Sequence, residues 1–187
     1  MFFKMRSAYS VAAISAILTV AAVASAKYKA ESPKIQMHAK GPAGMSIDGT
    51  SNTLNVSEDE KSVTFTTFLN TIDTKNSKRN DHMQKRLGFV KKDGKDVQAF
   101  EIRLSLPKDK VDATKGGSVP GTLLFHNQSK PVTVKYEVSG KHIHASFGFD
   151  VTKHGISEED LCFEPKTKSI CAKTNVEVEV DFDLGNG

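Results

Sequence analysis

The sequence predicts an all-β fold: an antiparallel sheet of eight or nine strands, closed into a barrel or folded as a sandwich. Three observations carry this expectation. Apolar and polar residues alternate with period two along most of the chain after Lys34, the pattern of half-buried strands. Short turn-forming links join the alternating segments, so sequence neighbours run antiparallel. One stretch alone has helical spacing, and it is short.

The elements follow in order. Short strands are expected at 35–39, 44–48, 52–57 and 61–68. Alternation stops between Asn76 and Leu87, and Asp81 to Leu87 reads as a short helix. Met83 and Leu87 lie four apart on one face of it, and Gly88 supplies a C-terminal stop. Phe100, Ile102, Leu104 and Leu106 then alternate with Glu101, Arg103 and Ser105, and a shorter strand is expected at 120–126. Val132, Val134, Tyr136 and Val138 alternate with Thr133, Lys135, Glu137 and Ser139. Ile143, Ala145, Phe147, Phe149 and Val151 form the next inward row, and Val176, Val178, Val180, Phe182 and Leu184 the last. Ser139-Gly140 reads as a tight hairpin. Asn127 to Lys130 reads as another link, with Pro131 opening the following strand and Asn127 suited to positive φ.

Composition bounds the rest. The chain has 187 residues, 38% of them hydrophobic, enough for one core, and no internal repeat or linker divides it. Its 26% charged content excludes wholesale disorder. The net charge of +4 is diffuse, without the dense basic face and stacking aromatics of a nucleic-acid binder. Residues 1–26 read as a cleaved signal peptide: Lys4 and Arg6 precede an apolar run from Ser7 to Val23, and Ala24-Ser25-Ala26 supplies the cleavage site. The competing reading of that run is an uncleaved membrane anchor. Cleavage before Lys27 leaves a single domain over 27–187, which is 187 less 26, or 161 residues. Without Lys4 and Arg6 its formal charge is +2. It has no second apolar run long enough for a membrane helix. The expected location is periplasmic or secreted.

In an oxidising compartment Cys162 and Cys171 read as a disulfide. Closing so short a loop stabilises by about 2.5–3 kcal/mol on the chain-entropy argument. Zinc needs tighter Cys spacing and further ligands, and a redox pair needs C-x-x-C.

Three ordered segments carry a resemblance. Thr71 to Met83 (TIDTKNSKRNDHM) resembles the S-x-x-T-G-x-x-x-R-D-x-H-(L/M) segment of the YceI-like family. Gly121 to Val134 (GTLLFHNQSKPVTV) resembles its G-x-L-x-x-x-G-x-x-x-P-V hairpin, and Gly155-Ile156 with Thr174 to Phe182 resembles its closing part. Lys75, Asn80 and Asn127 stand where the pattern has Gly, Asp and Gly. The resemblance implies a lipocalin-like eight-stranded antiparallel β-barrel with one short helix near the mouth. It also implies that the lumen holds a long apolar lipid, of isoprenoid or fatty-acyl type, for sequestration, storage or transport.

On this reading the lining candidates are Phe65, Phe68, Phe100, Ile102, Leu104, Phe125, Tyr136, Phe147 and Phe149. The plain alternative is a packed core without ligand, in a structural or interaction module that works through its outer face. The basic stretch 75–95 suits transient contact with an anionic membrane surface, although runs of charge are usually solvated loops. His142 and His144 share a strand face at a spacing that can hold a metal, but surface exposure accounts for them. There is no G-x-S-x-G elbow, P-loop or H-E-x-x-H, so neither an enzyme nor a cofactor or metal is expected. A membrane β-barrel would show similar alternation. It would also need aromatic girdles, and the chain has no Trp.

Overall fold

The computed structural model describes residues 28–164 and 169–186; the expected signal segment lies outside them. The strands are β1 (Tyr28–Lys40), β2 (Ser46–Ser51), β3 (Asn55–Glu58), β4 (Ser62–Phe68), β5 (Phe89–Lys92), β6 (Lys95–Gln98), β7 (Glu101–Pro107), β8 (Gly117–Phe125), β9 (Gln128–Ser139), β10 (His142–Asp150), β11 (Cys162–Glu164), β12 (Ser169–Cys171) and β13 (Asn175–Asn186). The helix α1 (Ser77–Leu87) lies between β4 and β5.

Nine strands form one sheet in the order β2-β1-β13-β10-β9-β8-β7-β4-β3, and every recorded pairing in it is antiparallel. The sheet curls into a half-barrel around its inward rows. Two features differ from the expected eight-stranded closed barrel. The main sheet has nine strands, and its edge strands β2 and β3 are not hydrogen-bonded to each other. The first strand of the opening segment also runs longer than expected. There β1 starts seven residues before the expected Ile35 and carries a register shift between Glu31 and Lys34, with Ser32 at φ 49°. That bulge interrupts the alternation and hid the first part of the strand.

The helix starts at Ser77 rather than Asp81 because Asn76 caps it, its Oδ1 accepting the Arg79 N–H at 3.1 Å. Lys85 and Arg86 lie in the last turn, where cations complement the helix dipole. Gly88 ends the helix. A Cβ there would collide with the Phe100 ring.

Two short ladders were not anticipated. The hairpin β5–β6 turns at Asp93-Gly94, with φ of 51° and 75°. That Asp-Gly pair is itself a strong hairpin signal. The ladder β11–β12 places Cys162 opposite Cys171, and the two form a disulfide with Cα atoms 3.9 Å apart. The link between β8 and β9 is shorter than expected. His126 and Asn127, at φ 50° and 57°, make a two-residue turn, so β9 already runs from Gln128 and Pro131 lies inside it.

The core has two parts. Leu69, Ile72, Ile102, Leu123, Phe125, Val151 and Ile156 cluster beneath α1, with Met83 and Leu87 packed on them. Leu106, Val119 and Val134 anchor the opposite end.

Candidate functional site

The inward rows of the curled sheet enclose a cavity of about 110 Å³. Val63, Phe65 and Thr67 of β4 stand in direct register with Leu106, Leu104 and Ile102 of β7. Tyr136, Ala145, Phe147, Phe149 and the β13 row Val178, Val180, Phe182 and Leu184 complete most of the wall. Phe65 and Phe182 pack ring to ring at 5.9 Å, and Phe147 stacks with Phe149 at 6.3 Å.

Six of the nine lining candidates border this cavity: Phe65, Ile102, Leu104, Tyr136, Phe147 and Phe149. The other three are placed differently. Phe68 is 37% exposed. It lies three residues from Phe65, an odd spacing that turns it to the opposite face of the strand. Phe100 precedes β7 and packs edge-on against Phe89 at 5.3 Å, next to Gly88. Phe125 is buried beneath α1 and borders a second cavity instead. The candidates also missed Ile35 and Met37 of β1 and the whole inward row of β13. The alternation from Val176 to Leu184 was the signal that would have found the latter.

The second cavity, about 370 Å³, lies between the sheet and α1. Leu69, Ile72, Met83, Leu87, Phe125 and Val151 supply its apolar wall, while Lys78, Arg79, His82, Asp160 and Lys173 add charged or polar groups. Met37 and Phe149 border both cavities and stand between them.

The loop leading into α1 is braced by Asn80, not by Arg79 or Asp81. The Asn80 Oδ1 accepts from the Thr74 N–H at 2.9 Å and the Thr74 hydroxyl at 2.6 Å. Its Nδ2 donates to Asp73 Oδ1 at 2.9 Å. That donation holds the Asp73 carboxyl below its usual value. A carboxylate at residue 80 would face Asp73 with like charge, so the amide suits this loop. Asp81 pairs with Lys85 at 2.7 Å.

Within the basic stretch, Lys75, Lys85 and Lys91 each have a carboxylate neighbour: Asp73, Asp81 and Asp96. Lys78 and Arg79 instead border the helix-side cavity. Burial holds the His82 imidazole below its usual value, with Arg86 adding to the effect.

His142 and His144 lie on the outer face, opposite carboxylates of β13. His142 Nδ1 is 3.0 Å from Asp183 and His144 Nδ1 is 2.8 Å from Asp181. Among the described residues no group of His, Cys, Asp and Glu is arranged to hold a metal ion. Among the described residues no helix is long and apolar enough to cross a membrane.

The family model of the YceI-like domain matches residues 20–184. No curated protein matches the sequence. A polyisoprenoid-binding domain from Saccharophagus degradans, implicated in plant cell wall breakdown, shares the fold. It has a TM-score of 0.65 and 14% identity, over 87% of this chain and 100% of that one. BcnA from Burkholderia cenocepacia has a TM-score of 0.55 and 15% identity, over 82% of this chain and 96% of its own.

Proposed function

The chain belongs to the YceI-like domain family, and from that premise we propose that it binds a long apolar lipid, of isoprenoid or fatty-acyl type, in the lumen of the half-barrel. The mechanism is sequestration, storage or transport, without turnover. The observation that carries the reading is the wall of the lumen, where every lining residue except Thr67 and Tyr136 has an apolar side chain. Transfer of apolar surface from water into such a lumen contributes about 25 cal/mol per Å². A long chain therefore needs few polar contacts. The polyisoprenoid-binding relative with the same fold supports the ligand class.

Small-molecule sites usually enclose about 300–1,000 Å³. The lumen alone, about 110 Å³, falls below that range, and the helix-side cavity, about 370 Å³, falls within it. A long chain therefore occupies both, displacing Met37, whose unbranched thioether side chain readily changes shape. The protein is exported through cleavage after Ala26, and Lys78 and Arg79 touch an anionic membrane surface during loading.

The small lumen also favours a second reading, a packed barrel that works through its outer face. One experiment separates the two. The full chain is expressed with its N-terminal segment, released without detergent and weighed by native mass spectrometry, then extracted with solvent. A discrete additional mass that extracts as a lipid is the expected result. An apo mass, with no uptake of added isoprenoid, would establish the packed barrel.

A further inference from the structure

The lumen wall has one chemical irregularity. Along β4 the inward row reads Val63, Phe65, Thr67, so a hydroxyl occupies the third position of an otherwise apolar series. Among the described residues only two lining side chains carry oxygen or nitrogen, Thr67 and Tyr136. The Tyr136 hydroxyl is engaged, accepting from the Asp112 N–H at 3.0 Å. Thr67 is 6% exposed, and among the described residues its Oγ1 has no hydrogen-bond partner.

A buried hydroxyl without a partner destabilises the fold that contains it, and valine would fill the same space without that cost. The position matters as well. Thr67 is in register with Ile102, which belongs to the cluster beneath α1. It therefore sits at the end of the lumen nearest the helix-side cavity. Thr67 lines the lumen, and a staggered χ1 well that points its hydroxyl inward would present it to a chain there.

We propose that Thr67 determines specificity: its hydroxyl hydrogen-bonds a neutral oxygen carried by the apolar cargo. The lumen thus selects an oxygen-bearing chain, whether carbonyl, ether or alcohol, over a pure hydrocarbon. The proposal rests on the lipid-binding reading above and refines its ligand class. The oxygen is neutral because no Lys, Arg or His lines the lumen, and an unpaired buried charge is far more costly than a neutral polar group. Sites built to hydrogen-bond a substrate discriminate strongly against analogues that lack the partner atom.

The test uses two probes of nearly identical shape. Phytone is a branched isoprenoid methyl ketone, and pristane is the hydrocarbon with a methyl group in place of the ketone oxygen. Each is offered from a cyclodextrin carrier to delipidated full-chain protein, and occupancy is read by native mass spectrometry. Wild type should prefer phytone by roughly three- to tenfold, the equivalent of one net hydrogen bond. Thr67→Val should lose that preference by weakening phytone while leaving pristane unchanged, and Thr67→Ser should keep it. A wild type that takes up both probes equally overturns the proposal without need of any variant. So does a folded Thr67→Val protein that still prefers phytone. Uptake of neither probe by wild type would overturn the lipid-binding reading itself, and this proposal with it.

Discussion

Phe147 lies at the centre of the lumen wall, stacked on Phe149 at 6.3 Å and in register with Val178 of β13. It packs against both core clusters, so it touches any chain threaded along the lumen. Phe147→Asp places an unpaired carboxylate there, and its desolvation should weaken lipid retention on the order of a hundredfold. The readout is lipid co-purified per protein, with circular dichroism confirming the fold. Undiminished retention in a folded variant would remove this residue from the lining. Truncation in the core acts differently. Leu123 is fully buried, at 0% exposure, and Leu123→Ala should lower unfolding stability by about 2–5 kcal/mol in denaturant titration. At this scale the sequence was legible wherever strand parity was respected. Ile102, Leu104, Phe147 and Phe149 share a parity with their neighbours and border the lumen. Phe68 breaks parity with Phe65, and Phe100 lies outside the strand. Aromatic character suggested Phe68, while the alternation with Ile102 carried Phe100 one residue past the start of β7. Thr67 was invisible for the converse reason, because a polar residue in an inward row reads as noise until its lack of a partner is seen.

The turn between β8 and β9 does more than reverse the chain. His126 Nε2 lies 2.9 Å from the Phe89 carbonyl and His126 Nδ1 lies 3.1 Å from the His154 carbonyl. Asn127 Nδ2 donates to the Gln98 carbonyl at 3.2 Å. One two-residue turn thus ties down both ends of the β5–β6 hairpin. Beyond these bonds the hairpin rests on its own ladder, the Phe89–Phe100 contact and the Lys91–Asp96 pair, and Phe89 and Val97 are exposed. His126→Ala should leave the carbonyl served by the imidazole N–H without its donor, at a cost of about 1–3 kcal/mol. It should also raise amide hydrogen exchange across residues 89–98 more than across β9 and β10. Equal protection of the hairpin in variant and wild type would show that the strand ladder holds itself. The hairpin was missed for a related reason. Its residues are nearly all exposed, so no apolar alternation marks it, and only Asp93-Gly94 gave it away. The helix start was misplaced because Asn76, Ser77 and Lys78 look like loop by composition, whereas the cap at Asn76 is a matter of one hydrogen bond.

At the scale of the molecule, alternation revealed how many faces must be buried, but not which strands meet. The partnership of β1 with β13 joins the first and last strands of the described residues, and nothing in either segment alone encodes it. Another long-range contact, between the segment after β10 and the β8–β9 turn, buries His154, which is 1% exposed, packs on Phe125 and Phe149, and donates from Nδ1 to the Gln128 carbonyl at 2.9 Å. Burial holds its imidazole below the ordinary value of 6.5, as it does for His82. The folded state therefore stays neutral where the unfolded chain, titrating near about pH 6.5, takes up protons. Because the unfolded state binds more protons, stability is complete above that value and falls as pH drops below it. A second loss follows at lower pH. Hydrogen bonds hold the carboxyls of Asp48, Asp59, Asp73, Asp112 and Asp150 below their ordinary 3.8, and the stability they contribute disappears as pH falls through those lowered values. Denaturant midpoints measured from about pH 7.5 to about pH 3 should thus decline in two steps. His154→Gln keeps an N–H donor for the Gln128 carbonyl but cannot titrate, so it should flatten the upper step and leave the lower one intact. If the variant declines as steeply as wild type between about pH 7.5 and about pH 5, the upper step belongs to another group, with His82 the next to replace.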